Sequence, residues 1–296
     1  MGIFVGMNYV ENWNPNNDKF RHFYGWNDSL GTWEMEMVPV PGLGTVAVHR
    51  FEKENQNEAE GTLFILHGYL EHTALRMPFI MEAVKGGWQV CGMDLPGHGL
   101  SEGERANISD FDDYTRAFKA VLESRRWPKP WRILAHSTGC AVAMMYMVTH
   151  GNPFEWSIFE APLVRTFLWK PTMVAKKMFR NALNTLPRRN AGLPKKETFY
   201  HLLLQDPLYL NRVPIAWFDA LEVYVEKLSL WPQIPGRFLI LQGTADTVVD
   251  GEYNLNFLRK HLPEAEIVPI KGGRHHLLRD EGPAGTLARQ AIRKRF

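Results

Sequence analysis

A serine, an acid after it and a histidine after that stand in this chain at positions where they can do nucleophilic chemistry. Ser137 lies in Ala135-His136-Ser137-Thr138-Gly139, between an apolar run over 131–136 and a helix-like run over 139–150. Small residues two positions to either side let a tight strand-to-helix turn pass close to neighbouring backbone and leave the serine hydroxyl exposed. The usual form of such a turn is G-x-S-x-G, and Ala135 stands where the first glycine would be. A serine hydroxyl is a weak nucleophile until a base takes its proton, and the base needs a third group to fix its tautomer. Asp246 and His275 each follow an apolar strand-like run, over 237–241 and 266–270, and are 29 residues apart. That spacing holds one helix and one strand. Asp250 is the rival acid, but it precedes Gly251 and reads as a helix N-cap. His276 is the rival base; it reads as the start of a helix, whereas Gly272-Gly273 makes a loop leading into His275. Attack on an ester also needs donors for the oxyanion. The backbone N–H groups of Thr138 and of Tyr69, in the loop His67-Gly68-Tyr69-Leu70-Glu71-His72, are the candidates.

The elements that would position these residues follow from the apolar pattern. Alternation over 32–40 and 45–51, separated by Pro41-Gly42-Leu43-Gly44, predicts a hairpin. Buried strands are expected at 62–66, 88–93, 131–136, 157–159, 237–241 and 266–270. Helices are expected at 74–86, 110–126, 139–150, 251–261 and 284–295, with Asp110 as an N-cap. Strand–helix alternation predicts a mostly parallel sheet covered by helices on both faces. The candidates all sit just past strand C-termini, where open α/β sheets bind ligands. The alternation lapses over 163–235, read as a helical cap inserted between strands. The core is then 33–162 with 236–296, and 1–32 is an extension packed on it.

Bulk properties narrow the function. The 296 residues are 45% hydrophobic and 22% charged, which predicts a packed globular core. A formal net charge of +2 gives no reason to expect a nucleic-acid partner. Cys91 and Cys140 lie in apolar segments and read as buried free thiols of a reducing compartment, so a soluble, cytoplasmic protein is expected. No run is long enough to span a bilayer, the longest being 140–148.

Together these segments resemble the α/β-hydrolases of the monoacylglycerol lipase and lysophospholipase group, the serine-aminopeptidase-like hydrolases. The resemblance rests on His67-Gly68-Tyr69-Leu70-Glu71-His72, on Asp94-Leu95-Pro96-Gly97-His98-Gly99-Leu100-Ser101-Glu102-Gly103, on the elbow at Ser137, on the Asp246 and His275 segments, and on Asp206-Pro207-Leu208. It covers roughly 33–290 and implies an eight-stranded α/β-hydrolase sheet. It also implies Ser137, Asp246 and His275 as a triad, with Tyr69 and Thr138 as oxyanion donors. His67, Asp94 and His98 would shape the loops without entering the chemistry. Neither metal nor organic cofactor is implied, and the substrate class is a small acyl ester: a monoacylglycerol, a lysophospholipid or a simple ester. Amide hydrolysis of the aminopeptidase kind, with Asp206, Asp219 or Glu222 holding the amine, and a non-catalytic binding role are the alternatives. The departures from the group are Ala135, Cys140 and Leu70, each where a glycine is common, and Tyr69-Leu70 would narrow the acyl site.

Residues 163–196 carry nine cations and no acid: Arg165, Lys170, Lys176, Lys177, Arg180, Arg188, Arg189, Lys195 and Lys196. Pro171 suits the first position of a helix running to about Leu186. At helical spacing Lys176, Lys177 and Arg180 share a face opposite Val174, Ala175, Met178, Phe179, Ala182 and Leu186. The expectation is a basic outer face and an apolar inner one, with peripheral contact to an anionic membrane as the sharper reading.

Overall fold

The computed structural model describes residues 13–54, 59–179, 183–187 and 197–293. The described residues begin with α1 (Asp18–Phe23), then the hairpin of β1 (Gly31–Val40) and β2 (Gly44–Lys53). The alternating core follows: β3 (Thr62–Leu66), α2 (Met77–Lys85), β4 (Gln89–Met93), α3 (Phe111–Glu123), β5 (Trp131–His136), α4 (Thr138–His150) and β6 (Trp156–Glu160). Next come α5 (Trp169–Phe179), β7 (Thr185–Pro187), α6 (Thr198–Gln205), β8 (Arg212–Pro214) and α7 (Ile215–Lys227). The core resumes with β9 (Phe238–Gly243), α8 (Gly251–His261), β10 (Ala265–Ile270) and α9 (Pro283–Arg293).

Eight strands form one sheet in the order β1-β2-β4-β3-β5-β6-β9-β10. The β1–β2 and β2–β4 pairs are antiparallel and the others parallel. The strand pleat sorts the core. Phe64, Leu66, Ile133 and Ala135 pack toward α3 and α4, while Leu63, Ile65, Leu134 and Ile158 pack toward α2 and α9. Successive residues of each inner strand are therefore buried on opposite faces, which is why these strands read as continuous apolar runs. Both cysteines are buried and free. Asp110 caps α3 by accepting from Asp112 N–H, and Asp250 caps α8 by accepting from Tyr253 N–H.

Residues 13–30 contribute Phe20, Tyr24 and Trp26 to the α2/α9 side of the core, against Trp33 and Phe51. Tyr24 reaches further. Its hydroxyl donates to Asp206 Oδ1 at 2.7 Å, and His72 Nε2 donates to Asp206 Oδ2 at 2.7 Å. Burial disfavours the His72 cation, yet Asp206 beside it raises its pKa above the ordinary value. One buried carboxylate thus ties the segment between α1 and β1, the loop after β3 and the segment after α6.

The segment after β6 differs from expectation in two respects. Its first helix starts at Trp169, so Pro171 is its third residue, and it does not run to Leu186, because Thr185–Pro187 pairs with Arg212–Pro214. The facing of several residues also differs. Val174 and Met178 are 60% and 71% exposed, while Lys176 turns inward to Asp219 and Glu222 of α7. The acids on α7 draw the Lys176 amine to the inner side, and Lys177 stays exposed beside Val174 and Met178. Arg165 pairs with Asp250 and lies over the Tyr253 ring. Arg180, Arg188, Arg189, Lys195 and Lys196 lie outside the described residues, as does Ala182. Among the described residues no helix is long and apolar enough to cross a membrane.

Candidate active site

Ser137 joins β5 to α4 with φ +50° and ψ −112°, a left-handed backbone that non-glycine residues rarely adopt. The turn is crowded. A Cβ on Gly139 would sit 2.5 Å from the carbonyl oxygen of Leu66, and one on Gly68 would sit 2.4 Å from His136 Nδ1. The strain is held by Ser137 N–H donating to Glu160 O at 2.9 Å and by the buried start of α4.

The structure brings the three sequence candidates together. His275 Nε2 lies 3.0 Å from Ser137 Oγ, and His275 Nδ1 lies 2.9 Å from Asp246 Oδ2. An ionised carboxylate only accepts, so the proton sits on Nδ1 and Nε2 is left to accept from the serine hydroxyl. Burial alone would raise the Asp246 carboxyl, but His275 and the N–H groups of Val248 and Val249 bring it down to about 2. Asp246 is therefore a full anion at neutral pH. The rivals take no part in this relay: Asp250 caps α8, and His276 Nδ1 lies 3.0 Å from Glu71 Oε1.

The loop after β3 approaches the same point. Thr138 is the first residue of α4, where a backbone N–H has no intrahelical acceptor. Tyr69 is fixed by stacking on Trp217 of α7, with ring centroids 3.9 Å apart, and by donating its hydroxyl to Ala106 O at 2.6 Å. Leu70 takes φ +67° and is fully buried in the core, outside the residues that line the cavity over Ser137. It does not narrow that cavity; of the pair, only Tyr69 lines it.

His67, Asp94 and His98 hold loops. His67 Nδ1 donates to Gly68 O and its Nε2 accepts from Leu95 N–H, and burial lowers its pKa to about 4. Asp94 accepts from the N–H groups of Thr73 and Leu100 and from His49 Nε2. His98 Nδ1 donates to Pro96 O, and burial lowers its pKa to about 3.

Sequence reasoning missed a buried ionic cluster beneath the site. Arg76 pairs with both Glu71 and Glu160. Glu71 Oε2 also accepts from Gly68 N–H and from His136 Nδ1. Glu160 Oε1 accepts from Leu278 N–H at 2.8 Å, and His136 Nε2 lies 3.1 Å from His275 O. The loop after β3, the serine turn and the histidine loop are thus fastened to one group of charges. Burial would raise the Glu71 carboxyl, but Arg76 and His136 hold it well below its ordinary value. Glu71, His136 and His276 have metal-ligating atoms close together. The Arg76 guanidinium already supplies the positive charge there.

A cavity of about 320 Å³ opens over Ser137, lined by Tyr69, Thr138, Leu163, Val213, Trp217 and Phe218 among others. A second space of about 390 Å³ lies beneath α5, and Leu186 and Phe218 line both. No Asp or Glu is among the described residues lining the first cavity.

Comparison with known proteins agrees with this architecture. Human monoglyceride lipase is 27% identical over 237 residues, covering 76% of this chain and 78% of that enzyme. Phospholipase YtpA of Bacillus subtilis is 25% identical over 203 residues, covering 64% of this chain and 76% of that protein. The crystal structure of a soluble variant of Saccharomyces cerevisiae monoglyceride lipase, bound to a substrate analogue, superposes with a TM-score of 0.72 at 16% identity. That match covers 92% of this chain and 98% of the yeast chain, and shows the α/β-hydrolase fold. Residues 57–282 match the family described as "Serine aminopeptidase, S33", and with most of its length inside that match the chain belongs to this family of α/β-hydrolases.

Proposed function

We propose that this chain is a serine hydrolase of carboxylic esters in which Ser137 is the nucleophile, His275 the general base and acid, and Asp246 the group that orients His275. The single observation that carries the assignment is the unbroken relay from Asp246 Oδ2 through His275 to Ser137 Oγ, with spacings of 2.9 and 3.0 Å. Ser137 Oγ attacks the acyl carbon as His275 Nε2 takes its proton. The carbonyl electron pair moves to oxygen, where the N–H groups of Thr138 and Tyr69 receive the charge. Collapse of the adduct expels the alcohol, which takes the proton from His275. Water, activated by the same histidine, then frees the acid from the acyl-enzyme.

Residues 163–235 act as the cap that covers this site and bounds the acyl cavity. Its apolar lining and the lipase relatives support a small acyl ester, with monoacylglycerols and lysophospholipids as the first substrates to try. The aminopeptidase reading is weaker, because the acids proposed to hold an amine are engaged. Asp206 bonds Tyr24 and His72, while Asp219 and Glu222 pair with Lys176. The exposed side of α5, with Val174 and Met178 beside Lys170 and Lys177 and with exposed Leu168 just ahead of the helix, supports peripheral contact with a lipid surface. Equal co-sedimentation with anionic and neutral vesicles at low salt would show that its charge plays no part.

A p-nitrophenyl ester series from acetyl to palmitoyl, with wild type and Ser137→Ala, tests the main reading. Wild type is expected to hydrolyse the series with a distinct optimum and Ser137→Ala to lose activity at every length. Full activity in the variant would refute the nucleophile.

A further inference from the structure

Four hydroxyl-bearing residues line the cavity over Ser137, and they differ in how their oxygens are used. Tyr69 donates to Ala106 O, and Ser137 is hydrogen-bonded to His275. The side-chain oxygens of Thr138 and Thr166 are buried with no hydrogen-bond partner among the described residues. Native interiors hold few such groups, because an unmet hydroxyl forfeits its bonds to water. Thr138 is 1% exposed and adjoins the nucleophile in the chain. Its N and Oγ1 are three bonds apart, so a single acceptor can contact both. Thr166 instead sits on the segment bridged to Val249 and is not next to the nucleophile in the chain.

We propose that Thr138 Oγ1 is a third donor to the oxyanion formed when Ser137 attacks the ester, which makes Thr138 a catalytic residue through its side chain as well as its backbone. The inference rests on Ser137 being the nucleophile. Thr138 keeps its proton throughout: the Ser137 Oγ–acyl bond forms, the carbonyl π electrons move to oxygen, and the serine proton passes to His275. The ground-state carbonyl oxygen carries little charge and the tetrahedral adduct a full one. A donor of this kind therefore raises kcat while leaving substrate binding nearly unchanged.

The test compares Thr138→Val, which keeps the shape and removes the hydroxyl, with Thr138→Ser, which keeps the hydroxyl. Both are measured on the best p-nitrophenyl ester, alongside inhibition by a trifluoromethyl ketone that forms a tetrahedral oxyanion on the serine. Thr138→Val is expected to lose roughly 10- to 100-fold in kcat with KM little changed, and to bind the ketone more weakly by a similar factor. Thr138→Ser is expected to stay within about threefold of wild type. A valine variant that keeps wild-type kcat overturns the proposal. Equal losses in the valine and serine variants also overturn it, since they would mark a packing role, as does a change confined to KM. Thr138→Ala gives the same comparison where the valine variant does not fold. Ser137→Ala separates the two readings: if it retains activity, the nucleophile assignment fails and takes the proposal with it. If it is inactive while Thr138→Val is unimpaired, only the proposal fails.

Discussion

Replacing Asp206 by asparagine isolates one buried ion pair. Both Tyr24 Oη and Leu208 N–H donate to Oδ1, whereas His72 Nε2 donates to Oδ2. An asparagine placed with its oxygen at Oδ1 keeps the first two bonds and turns an NH₂ toward His72. Asp206 and His72 side chains are 0% and 1% exposed, so water cannot replace the lost partner. Breaking a buried pair by removing one member costs about 3–5 kcal/mol. The lower end, about 3 kcal/mol, applies here because His72 can shed its proton and accept from the new amide. The pH dependence follows from the two shifts. The His72 pKa is raised, so its share of stability is present below its unfolded value, about 6.5, and is lost as pH climbs through the folded value. The Asp206 pKa is lowered by His72 and Tyr24 despite burial, so its share is present above about 3.8 and is lost as pH falls through the folded value. The pair therefore contributes most between about pH 4 and 6.5. Urea unfolding followed by tryptophan fluorescence, for wild type and Asp206→Asn at pH 5.5 and pH 9, reads the difference. The gap at pH 5.5 is expected to be near 3 kcal/mol and larger than at pH 9. A gap under about 1 kcal/mol at pH 5.5, or one equal at both values, refutes the reasoning.

Asp246→Asn puts an amide in place of the carboxylate that holds the His275 tautomer, and kcat is expected to fall by about 10⁴ with the fold intact; a loss under tenfold in ester hydrolysis would count against the relay. Phe218→Ala removes a wall shared by the two cavities beneath the 163–235 segment. The p-nitrophenyl chain-length optimum should move to longer acyl groups, and an unchanged optimum would show that the second space takes no part. Gly139→Ala drives a Cβ to 2.5 Å from Leu66 O. The turn must shift, at a cost of about 1–3 kcal/mol. Both the thermal midpoint and kcat are expected to drop, and a variant indistinguishable from wild type would show that the turn is looser than its packing indicates.

Much of the site is legible in the sequence because its signals are local. Ala135 to Gly139 report a crowded turn through residue size, and Asp246 and His275 report themselves by following strand-length apolar runs. Strand–helix alternation carries the parallel sheet for the same reason. The short ribbon of β7 and β8 is three residues a side, too short for any period to register. Helix α1 has one buried residue, Phe20, and so no apolar stripe to read.

The sequence by itself determined the serine turn, the order in which Asp246 and His275 follow it and the sheet that carries them, because each depends on residue type within a few positions. Only the tertiary structure decided what lies between distant segments. Tyr24 and Asp206 are 182 positions apart and His72 and Asp206 134 apart, so no local period couples them. The same holds for the charges that Arg76 gathers beneath the site. The facing of α5 shows the limit most plainly. Helical spacing grouped Lys176 with Lys177 opposite Val174 and Met178, but the acids of α7 draw only Lys176 inward, and Lys177 stays exposed with the apolar pair. A helix's own pattern contains nothing about the charge of the surface it will meet.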